Sequence, residues 1–354
     1  MIGTPSAPSR RDFLALGGGA LALAAAPVLA APPADPVTPD LVAAAQREGA
    51  VVFLNGGDVK LAQKIAAAFE AKYPGIKVTA DRIGSERIFQ RVEQEYGSNI
   101  HAVDVIESAD WGHFLSWKER GWLAPYVPTD VATYWKPTER DPDGLFFSFR
   151  ASLSALGANT KLVKPDDLPK GYTDLLDPRW KGKLVKGHPS YSGVVLTSTF
   201  LIVRELGWSY FEKLAQQRVM QVQSATEPPK KIAQGERVVM VDGTDYVLLD
   251  MAEKGSPLVS IQPAEGTPIA PIPTAVMKDA PHPNAARLLQ SFLFSLEAQQ
   301  LLIDIGNTRS FHPLAKEKPG RPPLSEIKLL RADPAEQLAA SEEIKRKYTE
   351  IFRT

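Results

Sequence analysis

The chain has 354 residues, with 41 Lys and Arg against 41 Asp and Glu, 44% hydrophobic residues and no cysteine. This length predicts two domains or lobes rather than one small core. The balanced charge argues against a nucleic-acid-binding protein, which usually needs a basic face. The absence of cysteine excludes a disulfide, a thiolate nucleophile, an iron–sulfur cluster and a lipid-modified cysteine. Any metal site must therefore use His, Tyr, Asp or Glu.

The first 30 residues have the pattern of an export signal. Arg10 and Arg11 precede an apolar run from residue 14 to residue 26, and the segment PVLAA at 27–31, which ends in two small residues, follows. A run of about 13 residues is too short to cross a bilayer of about 30 Å as a helix. The arginine pair followed by Phe13 is typical of twin-arginine signals. We therefore expect a twin-arginine signal peptide over residues 1–30, cleaved near Ala30 with release into the periplasm, and a Pro-rich linker over residues 31–45.

Short β-rich runs then alternate with helical patterns. Strands are predicted over residues 51–54, 76–80 and 103–106. Helices are predicted from Val59 to Lys72, from an N-cap at Ser85, and from an N-cap at Asp110 to Gly121. Alternation at this spacing indicates parallel strands joined by crossover helices.

The second half of the chain repeats the alternation. Strands are predicted within residues 145–156, 184–185, 220–223 and 238–241, and helices near residues 192–193, over 228–234 and over 244–254. A Pro-rich crossover over residues 263–273 precedes one long amphipathic helix over 284–305 and a final helical stretch ending at Thr354. Two α/β units joined by extended connections predict a two-lobed molecule.

Six predicted strand-to-helix turns are rich in Gly, Ser, Thr and Asp. Ligands bind at such turns because the first N–H groups of a helix lack intrahelical partners. Ordinary helix capping explains any single turn equally simply, but several turns of this kind recur where both sheets should face one cleft. The candidate ligand-binding residues in these turns are Asp58, Gly84, Ser85, Ser108, Asp110, Ser190, Ser192, Gly193, Ser224, Thr226, Asp245 and Tyr246.

Two arginines complete the candidate set. Arg150 and Arg309 fall where the chain is expected to cross between the lobes, and either could pair with an anionic ligand, although surface arginines are commoner. The sequence has no HExxH, GxSxG or phosphate-loop pattern. An enzyme on this scaffold would have to use Asp245 with His188, so we expect no enzymatic activity.

Short motifs follow one another in a characteristic order along the mature chain. They are FEAKYPGIKV at 69–78, DVIES at 104–108, NTKL at 159–162, LLDPRWKGK at 175–183, AQGE at 233–236, AEKG at 252–255 and PNAA at 283–286. In order and spacing they resemble the periplasmic solute-binding proteins of bacterial ABC importers, particularly the ferric-iron-binding branch. The resemblance implies a bilobed periplasmic-binding-protein fold with two α/β lobes joined by extended hinge strands. Lobe 1 is then expected over residues 46–149 plus 268–308, and lobe 2 over residues 150–267 plus 309–354.

The resemblance implies an incomplete iron site. The family's two adjacent tyrosines correspond to Asp245 and Tyr246, its histidine to Asp58, and its glutamate to Ala109. Asp58, Asp245 and Tyr246 are hard oxygen ligands, so Fe³⁺ stays open as a transported ligand. The helix start at Ser192, where the family binds its synergistic anion, is retained, and this favours a small anion over bare iron.

These observations predict a periplasmic substrate-binding component of an ABC transporter. It would capture a phosphonate, phosphate ester or carboxylate between two lobes that close by a hinge motion, and deliver it to permease and ATPase subunits in the inner membrane. The main alternative is a ferric-iron-binding protein for iron import. A ligand-presenting sensory protein and a secreted enzyme on the same scaffold are further alternatives. We expect a monomer without a cofactor and without nucleic-acid binding.

Overall fold

The structure is a computed structural model that describes Gly3 and residues 32–354. The predicted signal peptide and its cleavage site lie outside the described residues. Pro32–Thr354 form one compact unit. Among the residues described, no helix is long and apolar enough to cross a membrane.

Helices and strands alternate through most of this unit. The helices are α1 (Pro39–Glu48), α2 (Val59–Lys72), α3 (Ser85–Gly97), α4 (Trp111–Glu119), α5 (Thr129–Tyr134), α6 (Gly193–Leu206), α7 (Trp208–Ala215), α8 (Glu227–Ala233), α9 (Asp245–Glu253), α10 (Pro283–Phe294), α11 (Leu296–Asp304) and α12 (Pro334–Phe352). The strands are β1 (Ala50–Asn55), β2 (Lys77–Arg82), β3 (Val105–Glu107), β4 (Leu123–Ala124), β5 (Phe147–Leu153), β6 (Leu156–Asn159), β7 (Leu184–Gly187), β8 (Met220–Val222), β9 (Val239–Met240), β10 (Leu258–Ile261), β11 (Thr267–Met277) and β12 (Leu329–Leu330).

We define lobe 1 by its seven-stranded sheet. The strand order of this sheet is β12-β11-β3-β1-β2, and β4 and β5 also pair with β11. As predicted, β1 is parallel to β2 and β3, with Ala50 opposite Lys77 and Phe53 opposite Val105. β11 runs antiparallel to β3, β4 and β5. Parallel β1–β3 therefore place the turns that follow them at one edge of the sheet.

Lobe 2 is built on a five-stranded sheet with the order β10-β6-β9-β7-β8. β7 is parallel to β8 and β9, and β6 is antiparallel to β9 and β10. The chain passes between the lobes where β5 leads to β6 and where β10 leads to β11. The predicted fold class, two α/β lobes joined by extended strands, is confirmed, whereas the predicted lobe boundaries stay a prediction.

Each lobe has its own apolar core. In lobe 1, Phe53 of β1 and Phe69 of α2 pack with Phe292 of α10 in one buried cluster. In lobe 2, Phe211 of α7 and Tyr348 of α12 belong to another. Burial of such side chains contributes about 1.5–3 kcal/mol each, so each lobe has apolar contacts of its own to hold its turns in place.

Three predicted elements differ from the structure. Residues 39–45, expected in a linker, begin helix α1, because Thr38 accepts a hydrogen bond from the N–H of Leu41 at 3.2 Å and Pro39 suits the first helical position. The helix expected over 284–305 is two helices, since Ser295 is extended and caps α11. Ser85 is the first residue of α3 rather than its N-cap, which is Gly84.

Candidate functional site

A cleft of about 140 Å³ lies between the two lobes and is lined by residues from all six predicted turns. Its volume is below the roughly 300–1,000 Å³ of drug-sized pockets, so it suits a small solute. The lining residues are Gly56, Gly57, Arg82, Gly84, Ser85, Glu86, Arg87, Ala109, Arg150, Ser152, Tyr191, Ser192, Val194, Gln223, Ser224, Ala225, Thr226, Glu227, Thr244, Tyr246 and Ile272.

Half of the predicted site residues line this cleft. Those that do are Gly84, Ser85, Arg150, Ser192, Ser224, Thr226 and Tyr246. Those that do not are Asp58, Ser108, Asp110, Ser190, Gly193, Asp245 and Arg309. Each of the six predicted turns thus reaches the cleft, but not always through the residue that was predicted.

Arg150 on β5 is a buried cation with one free donor group. Its side chain is 3% exposed, and its Nη2 donates to Oε1 of Glu107 at 2.7 Å. Its Nη1 is buried and has no hydrogen-bond partner among the described residues. Burial alone would lower the pKa of Arg150, but the charge and hydrogen bond of Glu107, together with Tyr246 and Asp58, outweigh burial, and the pKa lies above its ordinary value. One nitrogen of this buried cation therefore has no acceptor in the described chain, although buried polar groups are normally satisfied.

Four helices that begin at the cleft have no side-chain cap. Within the described chain, no side chain caps α3, α6, α8 or α9, whose N-caps are Gly84, Ser192, Thr226 and Thr244. Asp58 and Asp110, by contrast, cap α2 and α4 with their carboxylates. A carboxylate cap occupies the N–H groups that a ligand would need. Asp58 and Asp110 therefore serve as helix caps rather than as cleft residues.

Two glycines allow very close approaches around the cleft. A Cβ at Gly193 would lie 2.7 Å from the carbonyl carbon and oxygen of Ala109, so the first turn of α6 contacts the backbone of lobe 1. A Cβ at Gly57 would lie 2.7 Å from Nη2 of Arg150. Arg82 of lobe 1 also donates to Oγ of Ser224 in lobe 2 at 3.4 Å. The two lobes are thus in direct contact at the cleft, and Gly193 belongs to that contact.

Tyr246 lines the cleft as a protonated phenol. Burial raises its pKa to about 12, although the charge of Arg150 opposes the shift. The Arg150 Cζ atom lies 5.7 Å from the centroid of the Tyr246 ring. At neutral pH the phenol can therefore donate a hydrogen bond, whereas the tyrosinate that binds ferric iron is disfavoured unless a metal stabilises it.

Asp245 and Arg309 belong to a buried ion cluster outside the lining of the cleft. Oδ2 of Asp245 lies 3.3 Å from Nη2 of Arg321 and 3.8 Å from Nε of Arg309. Arg309 also contacts Glu317 at 3.0 Å. Burial raises the pKa of Asp245, and the two arginines oppose that shift. This pairing corrects the assignment of Asp245 and Arg309 to the ligand and leaves Asp245 engaged by arginine rather than free for iron.

Two predicted serines and His188 have other partners. Oγ of Ser108 lies 2.9 Å from Nδ1 of His113, and the N–H of Ser190 donates to Nδ1 of His188. Nε2 of His188 lies 2.8 Å from Oγ1 of Thr354, and burial, with the charge of Lys186, lowers the pKa of His188 to about 4. His188 therefore does not pair with Asp245, which has arginine partners instead.

Sequence reasoning missed several residues in and beside the cleft. Ser152 lies two residues after Arg150 on β5, and its buried Oγ lacks a partner in the described part of the chain. Side chains two positions apart share one face of a strand. The spacing of Ser152 from Arg150 could therefore have predicted that both line the same site. Arg82 ends β2 directly before a predicted turn. Glu107 ends β3, and its ion pair with Arg150 depends on a contact that no local pattern shows.

Two α/β lobes with a polar cleft between them are the architecture of the periplasmic binding proteins. The family model described as "Bacterial extracellular solute-binding protein" matches residues 55–300, and the chain belongs to this family. It is therefore a periplasmic solute-binding protein of the ABC-transporter type, and the family implies permease and ATPase partners and a small ligand.

Solved structures and relatives agree with this class. The periplasmic binding protein AfuA from Actinobacillus pleuropneumoniae, with fructose-6-phosphate bound, has a TM-score of 0.78 at 24% identity and covers 86% of this chain and 99% of its own. Iron-bound HitA from Pseudomonas aeruginosa has a TM-score of 0.73 at 20% identity, covering 85% and 99%. "Iron uptake protein A1" from Synechocystis is 26% identical over 68% of this chain and 69% of its own.

Proposed function

We propose that the cleft binds a small anionic solute, a phosphonate, phosphate ester or carboxylate, for import. The observation that carries this proposal is the buried Nη1 of Arg150, which lacks a partner among the described residues. A buried charged donor without a partner costs about 1–3 kcal/mol or more, and an anionic oxygen would satisfy it. Arg82 and Arg87 also line the cleft, whereas Glu227 accepts from the N–H of Ser224 and is already engaged.

The uncapped helices supply further donors. The first N–H groups of α3 and α6 come from different lobes, so an anion between them would contact both and favour the closed arrangement. Closure over the ligand is then a population shift rather than a chemical step. The closed form would be the one that the permease recognises, with the protein acting as a monomer.

Ferric iron is the second candidate, because Tyr246 lines the cleft and a relative at 26% identity carries the name of an iron uptake protein. The other two residues predicted to coordinate iron have other partners, since Asp58 caps α2 and Asp245 pairs with Arg309 and Arg321. Iron would therefore need a co-bound anion to complete its coordination. An anion would therefore be bound in the cleft whether or not iron is also bound.

The test is a thermal-shift and native-mass screen of the purified mature protein against phosphonates, sugar phosphates, small carboxylates and Fe³⁺. We expect stabilisation by one anion class without added metal and recovery of the unchanged ligand. A visible tyrosinate-to-iron absorption band that disappears in Tyr246→Phe would contradict the anion proposal and establish iron. Conversion of the ligand would favour an enzyme, and unchanged import after deletion of the gene for this protein would favour a sensory role.

A further inference from the structure

A second polar cluster lies beside the cleft, where α3 and α4 begin. It consists of Glu86 in the first turn of α3, Asp110 at the N-cap of α4, and His113 in the first turn of α4. Atoms of these three residues that can bind a metal lie within 4.8 Å of one another. Nε2 of His113 lies 3.6 Å from Oε1 of Glu86 and 3.7 Å from Oδ2 of Asp110. The cluster shares no residue with the iron set considered above.

One buried polar atom of the cluster has no hydrogen-bond partner in the described chain. Oε1 of Glu86 is buried and has none in the described range of residues 32–354. His113 is 6% exposed, and its Nε2 lies beyond hydrogen-bond distance from both carboxylates. Buried polar groups are normally satisfied, so the unpartnered Oε1 of Glu86, with Nε2 of His113 3.6 Å away, leaves a place for a further partner between them.

The other atoms of two of these side chains are held in place. Nδ1 of His113 lies 2.9 Å from Oγ of Ser108, and Oδ1 of Asp110 accepts from the N–H of Gly112 at 2.9 Å. Metal-binding histidines commonly hold their second ring nitrogen by such a hydrogen bond. The arrangement therefore presents Nε2 of His113 and Oδ2 of Asp110 toward Glu86.

Lys345 of α12 is the cation that faces the cluster. Its Nζ lies 3.2 Å from Oε2 of Glu86 and 3.2 Å from Glu342. The lysine therefore engages the second oxygen of Glu86 and leaves Oε1 to the cluster. Lys345 neutralises part of the negative charge of the cluster. It should therefore weaken cation binding, although its ammonium does not lie between the three ligand atoms.

We propose that Glu86, Asp110 and His113 bind a divalent transition-metal cation of the Zn²⁺ type. One imidazole and two carboxylates suit this class, and a fourth position stays open to water. Ligand atoms about 2.0–2.2 Å from a tetrahedral zinc are roughly 3.3–3.6 Å apart, so the observed His–carboxylate separations need to contract by a few tenths of an ångström at most. Because Glu86 also lines the cleft, the cation would join the cleft wall to α4.

The test uses the untagged mature protein, stripped of metal, with Co²⁺ as a spectroscopic probe and Zn²⁺ as a competitor. We expect one Co²⁺ per chain with d–d absorption that Zn²⁺ removes. His113→Ala should abolish the signal, and His101→Ala, which removes a histidine outside the cluster, should retain it. Ser108→Ala should weaken Zn²⁺ affinity by about tenfold or more because it frees the ring of His113, and Lys345→Met should strengthen it.

Absence of Co²⁺ absorption from protein with an unchanged circular dichroism spectrum would overturn the proposal. Equal loss of the signal in His113→Ala and His101→Ala would do the same. The proposal does not depend on the cleft ligand, and Arg150→Lys should leave Co²⁺ binding unchanged.

Discussion

Each lobe contains a buried ion pair next to its sheet, and the two pairs are satisfied to different degrees. In lobe 2, Nζ of Lys186 lies 2.8 Å from Oδ2 of Asp242, with both side chains fully buried. The ammonium also donates to Thr199 and to the carbonyl of Gly187, and Asp242 accepts from Ser198 and from the N–H of Gly187. All three donors of the lysine are therefore used.

The pair in lobe 1 is incomplete. Arg150 bonds Glu107 through Nη2, but its Nη1 has no partner within the described residues. Both pairs are almost inaccessible to solvent, so burial does not distinguish them. A fully bonded buried pair indicates a structural role, whereas a buried cation with an unused donor beside a cleft indicates a ligand. This difference is the basis of the anion proposal.

The largest effect is expected from breaking the satisfied pair. Asp242→Asn removes the charge that Lys186 needs and should lower the free energy of unfolding by about 3–5 kcal/mol, because it leaves an uncompensated buried cation. Urea denaturation measures this change. Replacing both partners, as in Lys186→Met with Asp242→Leu, should recover most of the stability. Unchanged stability in Asp242→Asn would contradict the structural role.

Substitution in the incomplete pair should affect binding more than folding. Arg150→Lys keeps the charge beside Glu107 but loses the second nitrogen, so anion affinity should fall by about 1.5–3 kcal/mol, the range for a hydrogen bond to a charged group. Isothermal titration calorimetry measures it. Arg309→Lys changes an equally buried arginine outside the cleft and should leave affinity unchanged. A similar loss of affinity in both variants would remove the distinction between the two arginines.

Lobe contact at the cleft is tested by Gly193→Ala. The added Cβ would lie 2.7 Å from backbone atoms of Ala109, and relieving that overlap should weaken ligand binding by about 1–3 kcal/mol. Small-angle scattering should show less compaction on ligand addition than in the wild type. Gly97→Ala is the control, because its Cβ meets no described atom within 4 Å. Wild-type affinity in Gly193→Ala would show that ligand binding tolerates lobe separation.

The smallest effect on anion affinity is expected for a serine of β5, and a second serine of the same strand is its control. Ser148 and Ser152 are both fully buried, and each has an Oγ without a partner in the described chain. Because Ser152 lines the cleft and Ser148 does not, Ser152→Ala should weaken anion binding by about 0.5–1.5 kcal/mol. Ser148→Ala should leave the calorimetric affinity at the wild-type value. Equal affinities in the two variants would argue against a hydrogen bond from Ser152 to the ligand.

Local patterns predicted the elements well and the contacts poorly. The apolar period from Val59 to Lys72 matches α2 in full, because one face of that helix is buried and its ends are marked by Asp58 and Pro74. The break at Ser295 was missed because apolar residues continue on both sides of it. Asp245 was assigned to the ligand because its turn looks like the others, but its partner Arg321 comes from a segment 76 residues away.

The most direct test of the anion site is a crystal structure of the mature protein with the solute that co-purifies from the periplasm. The account predicts an anionic oxygen of that solute at about 2.7–2.9 Å from Nη1 of Arg150, the usual length of a charge-assisted hydrogen bond, with further contacts at the first turns of α3 and α6. A solute bound in the cleft with Nη1 of Arg150 still unpartnered, or bonded only to water, would contradict it.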